Sequence, residues 1–430
     1  MKKTVYISLT ADSIHHGHMK LFETARKYGD IIIGLLSDKA VAEHKRIPYL
    51  NFEQRKKILT NFKGVKSVIK QNEWDYSKSI KSLKPDFLVH GDDWKTGHMS
   101  EIRRKVLKIM KSYGGKLIEI PYTKGVSSSA LINHLNQISV TPDIRRSLLR
   151  RTIESNKISK FLEAHSPLSA IIGENTLIEK KGKKIGFDGF WSSSLTDSTV
   201  VGKPDNESLD FSQRLNGVDQ IFEVTTKPLI MDGDTGGKVE HFEMRIKSAE
   251  RLGISALIIE DKKGLKKNSL LKDTSRQTQE EKIKFSEKIS VGKKGQISDD
   301  FMIIARIESF ILGKGLNDGL KRANAYSEAG ADLILIHSKA KTPSEIFSFA
   351  KIFKKTKYFK PLVSVPSTYS KTNETELIKN GFKIVIYANH MLRAAYPAMK
   401  DAAKKILKNQ RSFELEKKIS SVKDVINLIK

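Results

Sequence analysis

Apolar positions fall into two successive series along the chain. In the first, short runs at 5–11, 31–37, 65–70, 87–91 and 116–121 are apolar throughout, and amphipathic stretches separate them: HMKLFETARKY (18–28), FEQRKKILTNF (52–62) and MSEIRRKVLKIMKSYG (99–114). A strand apolar on both faces needs cover on both sides. The pattern therefore predicts a parallel sheet with helices on each face, a doubly wound, Rossmann-like α/β domain. A helix near SSALINHLNQ (128–137) completes it, and SVTP (139–142) reads as a linker.

The second series has eight apolar runs: LSAII (168–172), IGFDGFW (185–191), PLIMD (228–232), SALIIED (255–261), FMIIAR (301–306), DLILIH (332–337), PLVSV (361–365) and KIVIYA (383–388). Eight strands with helical connections predict a (β/α)8 barrel, whose chemistry gathers at the C-terminal ends of its strands. Those ends carry Trp191 and Ser193, Asp232 and Asp234, Glu260, Arg306 and His337. Unpaired buried charge is costly, so such groups mark a site. The division expected is 1–138 and 143–430. Each half has its own pattern, so a cut within 138–142 is expected to leave two separately active fragments. The Lys-rich tail after Lys404 reads as closing helices, solvated or packed in an oligomer.

Composition agrees with this division. A chain of 430 residues with 39% hydrophobic content can hold two cores. No stretch approaches the roughly 18 apolar residues that cross a bilayer. The first apolar run ends at Asp12 without a small-residue cleavage site, so it reads as a strand and not a signal peptide. There is no cysteine, which excludes disulfides, thiolate metal sites and thiol nucleophiles. A cytoplasmic protein is expected. The formal charge of +28 attracts polyanions of any kind. Its lysines are scattered, with no aromatic interleaving for base stacking. They read as solvated faces, and neither a nucleic-acid nor a membrane partner is expected.

LTADSIHHGH (9–18) follows the first strand and opens the first helix, where a helix N-terminus favours anions. His15 and His18 would face one phosphate, donating hydrogen bonds and, when protonated, offsetting transition-state charge; a structural histidine pair would carry the same letters. Arg55 on the second helix offers a planar, always-charged donor. GDDW (91–94) ends the fourth strand, where doubly wound folds bind ligands. GVSSS (125–129) offers amides and hydroxyls for a triphosphate, or a plain serine cap.

These motifs, in this order, resemble the glycerol-3-phosphate cytidylyltransferase group of HxGH nucleotidyltransferases over roughly residues 1–137. The resemblance implies that His15, His18 and Arg55 stabilise the transferred nucleotidyl phosphate, with a divalent cation accompanying CTP. It places Asp92, Asp93 and Trp94 in the nucleotide pocket, and Ser127 and Ser128 at the triphosphate. The group has an arginine where this chain has Tyr122, and Lys124 is the candidate replacement.

In the barrel, Asp205, Asp232, Asp234 and Glu260 converge on one mouth and need a cation; hard oxygen ligands argue for Mg²⁺ or Mn²⁺. Arg306 and His337 suit a phosphoryl group. EAHSPLSA (163–170), GFWSSSLTDS (189–198), DGDTGG (232–237), EDK with KKNS (260–269), ARIES (305–309) and IHSK (336–339) resemble phosphoenolpyruvate mutase of the isocitrate lyase superfamily, over about 143–430. The resemblance implies that Asp232 ligates Mg²⁺ directly, with Asp205, Asp234 and Glu260 acting through water. Ser193 and the Ser194 and Leu195 amides would hold a pyruvyl carboxylate, Trp191 would wall the pocket, and Asn268, Arg306 and His337 would cradle the phosphoryl group. Lys266 and Asn268 would form a water-excluding lid.

The two resemblances together imply a bifunctional enzyme of phosphonate biosynthesis using Mg²⁺ at both sites. It would convert phosphoenolpyruvate to phosphonopyruvate and transfer CMP from CTP to a small phosphonate, 2-hydroxyethylphosphonate, with 2-aminoethylphosphonate as the alternative. A phosphonopyruvate hydrolase or carbon–carbon lyase is the rival for the barrel. A homo-oligomer, dimer or tetramer, is expected through the barrel.

Overall fold

The computed structural model describes residues 3–95, 99–121, 141–180, 183–264, 266–270 and 277–429. Strands β1 (Thr4–Leu9), β2 (Asp30–Leu36), β3 (Val65–Gln71), β4 (Phe87–Gly91) and β5 (Lys116–Ile120) form a parallel sheet in the order β3-β2-β1-β4-β5. Its connecting helices are α1 (His16–Arg26), α2 (Asp38–Ala42), α3 (Phe52–Thr60), α4 (Ser77–Leu83) and α5 (Ser100–Lys111). Alternate residues of β1 serve two cores: Val5, Ile7 and Leu9 pack on one side and Tyr6 on the other. The strand order reverses between β1 and β4, which opens a crevice at their C-terminal ends.

Helix α6 (Pro142–Ser155) leads into a closed parallel barrel. In chain order its strands are β6 (Ser159–Glu163), β7 (Gly189–Ser192), β8 (Leu229–Asp232), β9 (Ala256–Glu260), β10 (Met302–Ile307), β11 (Leu333–Ile336), β12 (Leu362–Ser364) and β13 (Phe382–Tyr387), and β13 pairs back with β6. One predicted strand is wrong. LSAII lies in helix α7 (Pro167–Asn175), and the first barrel strand is SKFLE. The reason is local: Ser166 caps the helix through the Ser169 amide and Pro167 sits at its first position, where its missing N–H costs nothing.

Two apolar layers hold the barrel. The outer one joins the strands to surrounding helices, while the inner one stacks Phe161, Ile230, Ile258, Ile304 and Ile384 inside the cylinder. Leu149 and Ile153 of α6 join that inner layer. Arg145 reaches the Thr225 carbonyl at 3.2 Å, and Arg150 the Asp299 carbonyl at 2.7 Å. Both acceptors precede strands, so α6 floors the N-terminal end of the barrel. The first unit docks beneath that floor, where Arg46 Nη1 donates to Thr226 Oγ1 at 2.7 Å. No side chain of the long helix His390–Asn409 is buried, and Tyr396, Met399 and Leu407 are exposed. Among the described residues no helix is long and apolar enough to cross a membrane.

Candidate active sites

At the barrel mouth, β8 ends at Asp232 and the chain turns at once. Asp234 adopts a φ of +56°, and Gly236 and Gly237 follow at +79° and +72°. An aspartate tolerates this region because its short polar side chain bonds locally, and glycine has no Cβ to clash. The turn returns the Asp234 amide to Asp232 Oδ1 at 3.0 Å. Arg214, from the helix Phe211–Phe222, lies behind both carboxylates. Its guanidinium pairs with Asp197 and Asp234 at 3.0 Å each and donates to the Asp232 carbonyl. Burial opposes its charge, but the three aspartates around it outweigh that and raise its pKa.

Lys266 places its ammonium among Ser194 Oγ (2.6 Å), Asp205 Oδ1 (2.9 Å) and Asp234 Oδ1. Asn268 donates to the other Asp205 oxygen at 2.7 Å. Asp205 thus ties the 266–268 segment down over the mouth. Burial raises the pKa of Asp232, yet Lys266, Arg306 and Arg214 more than reverse this and hold it at about 2.

On the facing wall, Arg306 donates to Glu308 (2.6 Å) and Ser269 (2.8 Å), and its Nη2 lies 3.2 Å from Glu260 and 2.9 Å from His337 Nδ1. Burial, then the Arg306 charge, pushes the His337 pKa down, against the Glu308 carboxylate 2.8 Å from Nδ1. Trp191, Ser193, Ser194, Leu195, Asp205, Asp232, Lys266, Asn268, Arg306 and His337 all line one cavity. Asp234 and Glu260 stand behind it.

Glu260 is 1% exposed and, among the described residues, neither carboxylate oxygen has a hydrogen-bond partner. Burial pushes its pKa up to about 7 despite Arg306 and Lys262 nearby. A buried carboxylate without hydrogen bonds suits a cation or its hydration shell. Among the described residues no three carboxylates or imidazoles stand together at ligand distance. One direct ligand, Asp232, with the others acting through water does not require such a cluster, and the oxygen donors fit Mg²⁺.

Sequence reasoning missed Arg214, Glu308 and Lys262. Two of them had a signal. Glu308 lies two residues after Arg306, and Lys262 two after Glu260, a spacing that repeats one side of an extended chain. Nothing in FSQRL separates Arg214 from a surface arginine. Replacing it with methionine leaves the Asp197 carboxylate without its cation and Asp234 with Lys266 alone, and a loss of about 3–5 kcal/mol in barrel stability is expected. An unchanged urea midpoint and slope would contradict that.

In the first unit, His15 caps α1. Its Nδ1 accepts from the Gly17 amide at 3.2 Å, and His18 Nδ1 accepts from the His15 amide at 3.3 Å. With both Nδ1 atoms accepting, the ring protons sit on Nε2. The rings are 4.0 Å apart between centroids. Burial, then His15, lowers the His18 pKa to about 4, so the ring is neutral at pH 7.

Two expected phosphate or nucleotide contacts are corrected. Arg55 is 0% exposed, and its guanidinium donates to Leu50 O (3.1 Å), Leu36 O (2.9 Å), Asp38 Oδ1 (2.7 Å) and Thr10 O. It braces the strand ends instead of facing a ligand. Trp94 is 1% exposed, stacks on His90 at 4.0 Å and donates to Glu119 at 2.7 Å. Its ring is core. Both were placed by residue type, and burial was invisible in the letters. Asp92 opens the short turn after β4. The Asp93 side chain, and Tyr122, Lys124, Ser127 and Ser128, lie outside the described residues.

A doubly wound unit with paired imidazoles at its crevice, beneath a barrel whose mouth sets carboxylates against arginine and histidine, defines an enzyme with two phosphoryl-handling sites. The chain belongs to the phosphoenolpyruvate phosphomutase family, whose model matches residues 149–407. Residues 10–134 match the cytidylyltransferase-like family. The chain is 38% identical over 281 residues to a phosphoenolpyruvate phosphomutase of Tetrahymena pyriformis, covering 65% of this chain and 89% of that protein. It is 33% identical over 133 residues to the glycerol-3-phosphate cytidylyltransferase of Bacillus spizizenii, covering 30% of this chain and 95% of that protein. A crystal structure of phosphonopyruvate hydrolase complexed with oxalate and Mg²⁺ superposes with a TM-score of 0.58 at 33% identity, covering 67% of this chain and 95% of that one.

Proposed function

We propose that residues 143–430 isomerise phosphoenolpyruvate to 3-phosphonopyruvate, and that residues 1–138 transfer CMP from CTP to a small phosphonate, as steps of cytoplasmic phosphonate biosynthesis. The observation that carries the first half is the closed mouth, in which Lys266 and Asn268 converge on Asp205 above the Asp232 carboxylate. Ser193, with the Ser194 and Leu195 amides, orients the pyruvyl carboxylate. Arg306, His337 and Asn268 take the phosphoryl oxygens. The C–O–P bond breaks, the phosphoryl group stays held between these donors, and the enolate presents its methylene carbon to phosphorus. No atom is gained or lost. Bound Mg²⁺, held by Asp232 directly and by Asp205, Asp234 and Glu260 through water, would supply positive charge for the enolate and phosphoryl oxygens. The lid excludes water, which would otherwise give pyruvate and phosphate.

The hydrolase is the weaker reading, resting on likeness to a phosphonopyruvate hydrolase structure at 33% identity, against 38% identity to a phosphoenolpyruvate phosphomutase. Phosphorus NMR with phosphoenolpyruvate, Mg²⁺ and a trapping decarboxylase separates the two. A carbon–phosphorus resonance is expected, and inorganic phosphate released from phosphonopyruvate alone would favour the hydrolase.

In the first unit, the Nε2–H groups of His15 and His18 would donate to the α-phosphate of CTP as the acceptor oxygen attacks and pyrophosphate leaves. The acceptor proposed is 2-hydroxyethylphosphonate, a dianion with a short neutral tail. Phosphonopyruvate itself is disfavoured, since the mutase equilibrium lies toward phosphoenolpyruvate and the product must be drained by a following step before it can accumulate. 2-Aminoethylphosphonate would need a carboxylate near its ammonium. Glu73 is occupied by Lys78 and Asp75 by Ser77 and Lys105. A pyrophosphate-release assay with CTP and each phosphonate should give the highest kcat/KM for the hydroxy compound; preference for the amino compound or glycerol 3-phosphate would overturn the choice. The exposed apolar positions of helix His390–Asn409 support a homo-oligomer.

A further inference from the structure

One barrel-side residue reaches across to the first unit and grips the segments that brace its histidine loop. Arg151 lies on α6, near its C-terminal end, and its guanidinium points out of the barrel. Nε and Nη2 lie 3.3 and 3.0 Å from Asp38 Oδ2, Nη1 donates to Tyr49 O at 2.9 Å, and Nη2 donates to Pro48 O at 2.7 Å. Every one of these acceptors belongs to the first unit. The side chains of Arg151, Asp38 and Arg55 are 13%, 17% and 0% exposed, so the contact is sheltered from solvent.

Asp38 is two hydrogen bonds from the loop that leads to the histidines, and the 48–49 backbone is one. The other oxygen of Asp38 takes Arg55 Nη2 at 2.7 Å, and Arg55 continues to Thr10 O. The Tyr49 amide, next to the carbonyls that Arg151 grips, donates to Asp12 Oδ1 at 2.7 Å. Thr10 and Asp12 flank Ala11, whose φ of +56° is unfavourable for a residue with a Cβ and persists only where neighbours impose it. His15 follows four residues after Ala11.

We infer that Arg151 is a positioning residue for cytidylyl transfer, supplied by the barrel domain: through Asp38 and the 48–50 backbone it fixes the 10–12 loop and with it the HxGH imidazoles. This rests on the cytidylyltransferase reading of the first unit. Asp38 lies between two guanidiniums, one from each domain, and the planar fork of Arg151 spans a carboxylate and carbonyls together. Without it, segment 48–50 loses its outer anchor while Arg55 keeps its own bonds. The fold survives and the loop loosens. Small displacements of reacting groups are expensive, on the order of a hundredfold per ångström.

The test uses full-length protein and the better acceptor among 2-hydroxyethylphosphonate, 2-aminoethylphosphonate and glycerol 3-phosphate. Arg151→Ala should lower kcat for pyrophosphate release by about 10- to 100-fold. Phosphoenolpyruvate conversion in the same sample should be unchanged, which makes the barrel an internal control of folding. Arg151→Lys should recover part of the rate. Arg151→Ala combined with Asp38→Asn should cost less than the sum of the two alone, because both act through one contact. Full pyrophosphate release in Arg151→Ala overturns the inference. So does loss of both activities in Arg151→Ala and Arg151→Lys alike, which would make Arg151 a residue of the fold. A wild-type chain that turns over no CTP with any acceptor overturns the reading of the site, and the inference with it.

Discussion

Replacing Asp232 with alanine is expected to abolish conversion of phosphoenolpyruvate while CTP-dependent pyrophosphate release stays nearly unchanged. Against the upward push of burial, Lys266, Arg306 and Arg214 hold the Asp232 pKa at about 2. Removing Asp232 takes away the proposed direct ligand of Mg²⁺ and leaves three cations facing one carboxylate fewer. Binding gives a second readout. Mg²⁺ at a hundred times its Kd should stabilise the wild type by about 2.7 kcal/mol. That gain should vanish in Asp232→Ala. Loss of both activities together would contradict two separate sites.

Replacing His18 with alanine should reduce cytidylyl transfer by about 10²–10³-fold, the cost of one removed donor to developing charge. The change also removes the acceptor for the His15 amide, so α1 loses half of its capping box. The pH dependence is distinctive. Burial lowers the His18 pKa to about 4, below its ordinary value of 6.5. The stability owed to the neutral ring is therefore complete above pH 6.5 and is lost as pH falls from there through about 4. Cytidylyl transfer should show no inflection from His18 near 6.5. Unchanged pyrophosphate release in His18→Ala would remove the HxGH pair from the chemistry.

The docking of the two units changes one expectation drawn from the linker. A cut within 138–142 would still leave each half with its own core, but the first half would lose Arg151 and Thr226 as partners. The barrel fragment should keep its activity, whereas the first fragment should be impaired. Closed patterns of strands and helices show which segments can fold, and they are silent about which surfaces meet.

By itself the sequence determined both architectures, seven of the eight barrel strands, the HxGH loop at the end of β1 and the placing of Asp205 and Asp232 at the barrel mouth. These are legible because hydrophobic period is local and because strand ends in such folds share one face. The eighth strand escaped since SKFLE is short and half polar, whereas the apolar LSAII beside it belongs to a proline-started helix. Tertiary structure alone decided the roles of the arginines. Arg55, Arg151 and Arg214 look alike in the letters, yet one braces a loop, one crosses between domains and one sits beneath the carboxylates of the mouth. The physical reason is that a guanidinium takes its meaning from the acceptors around it. Those acceptors, Asp38 for Arg151 and Asp234 for Arg214, are distant in the chain and are brought near only by packing.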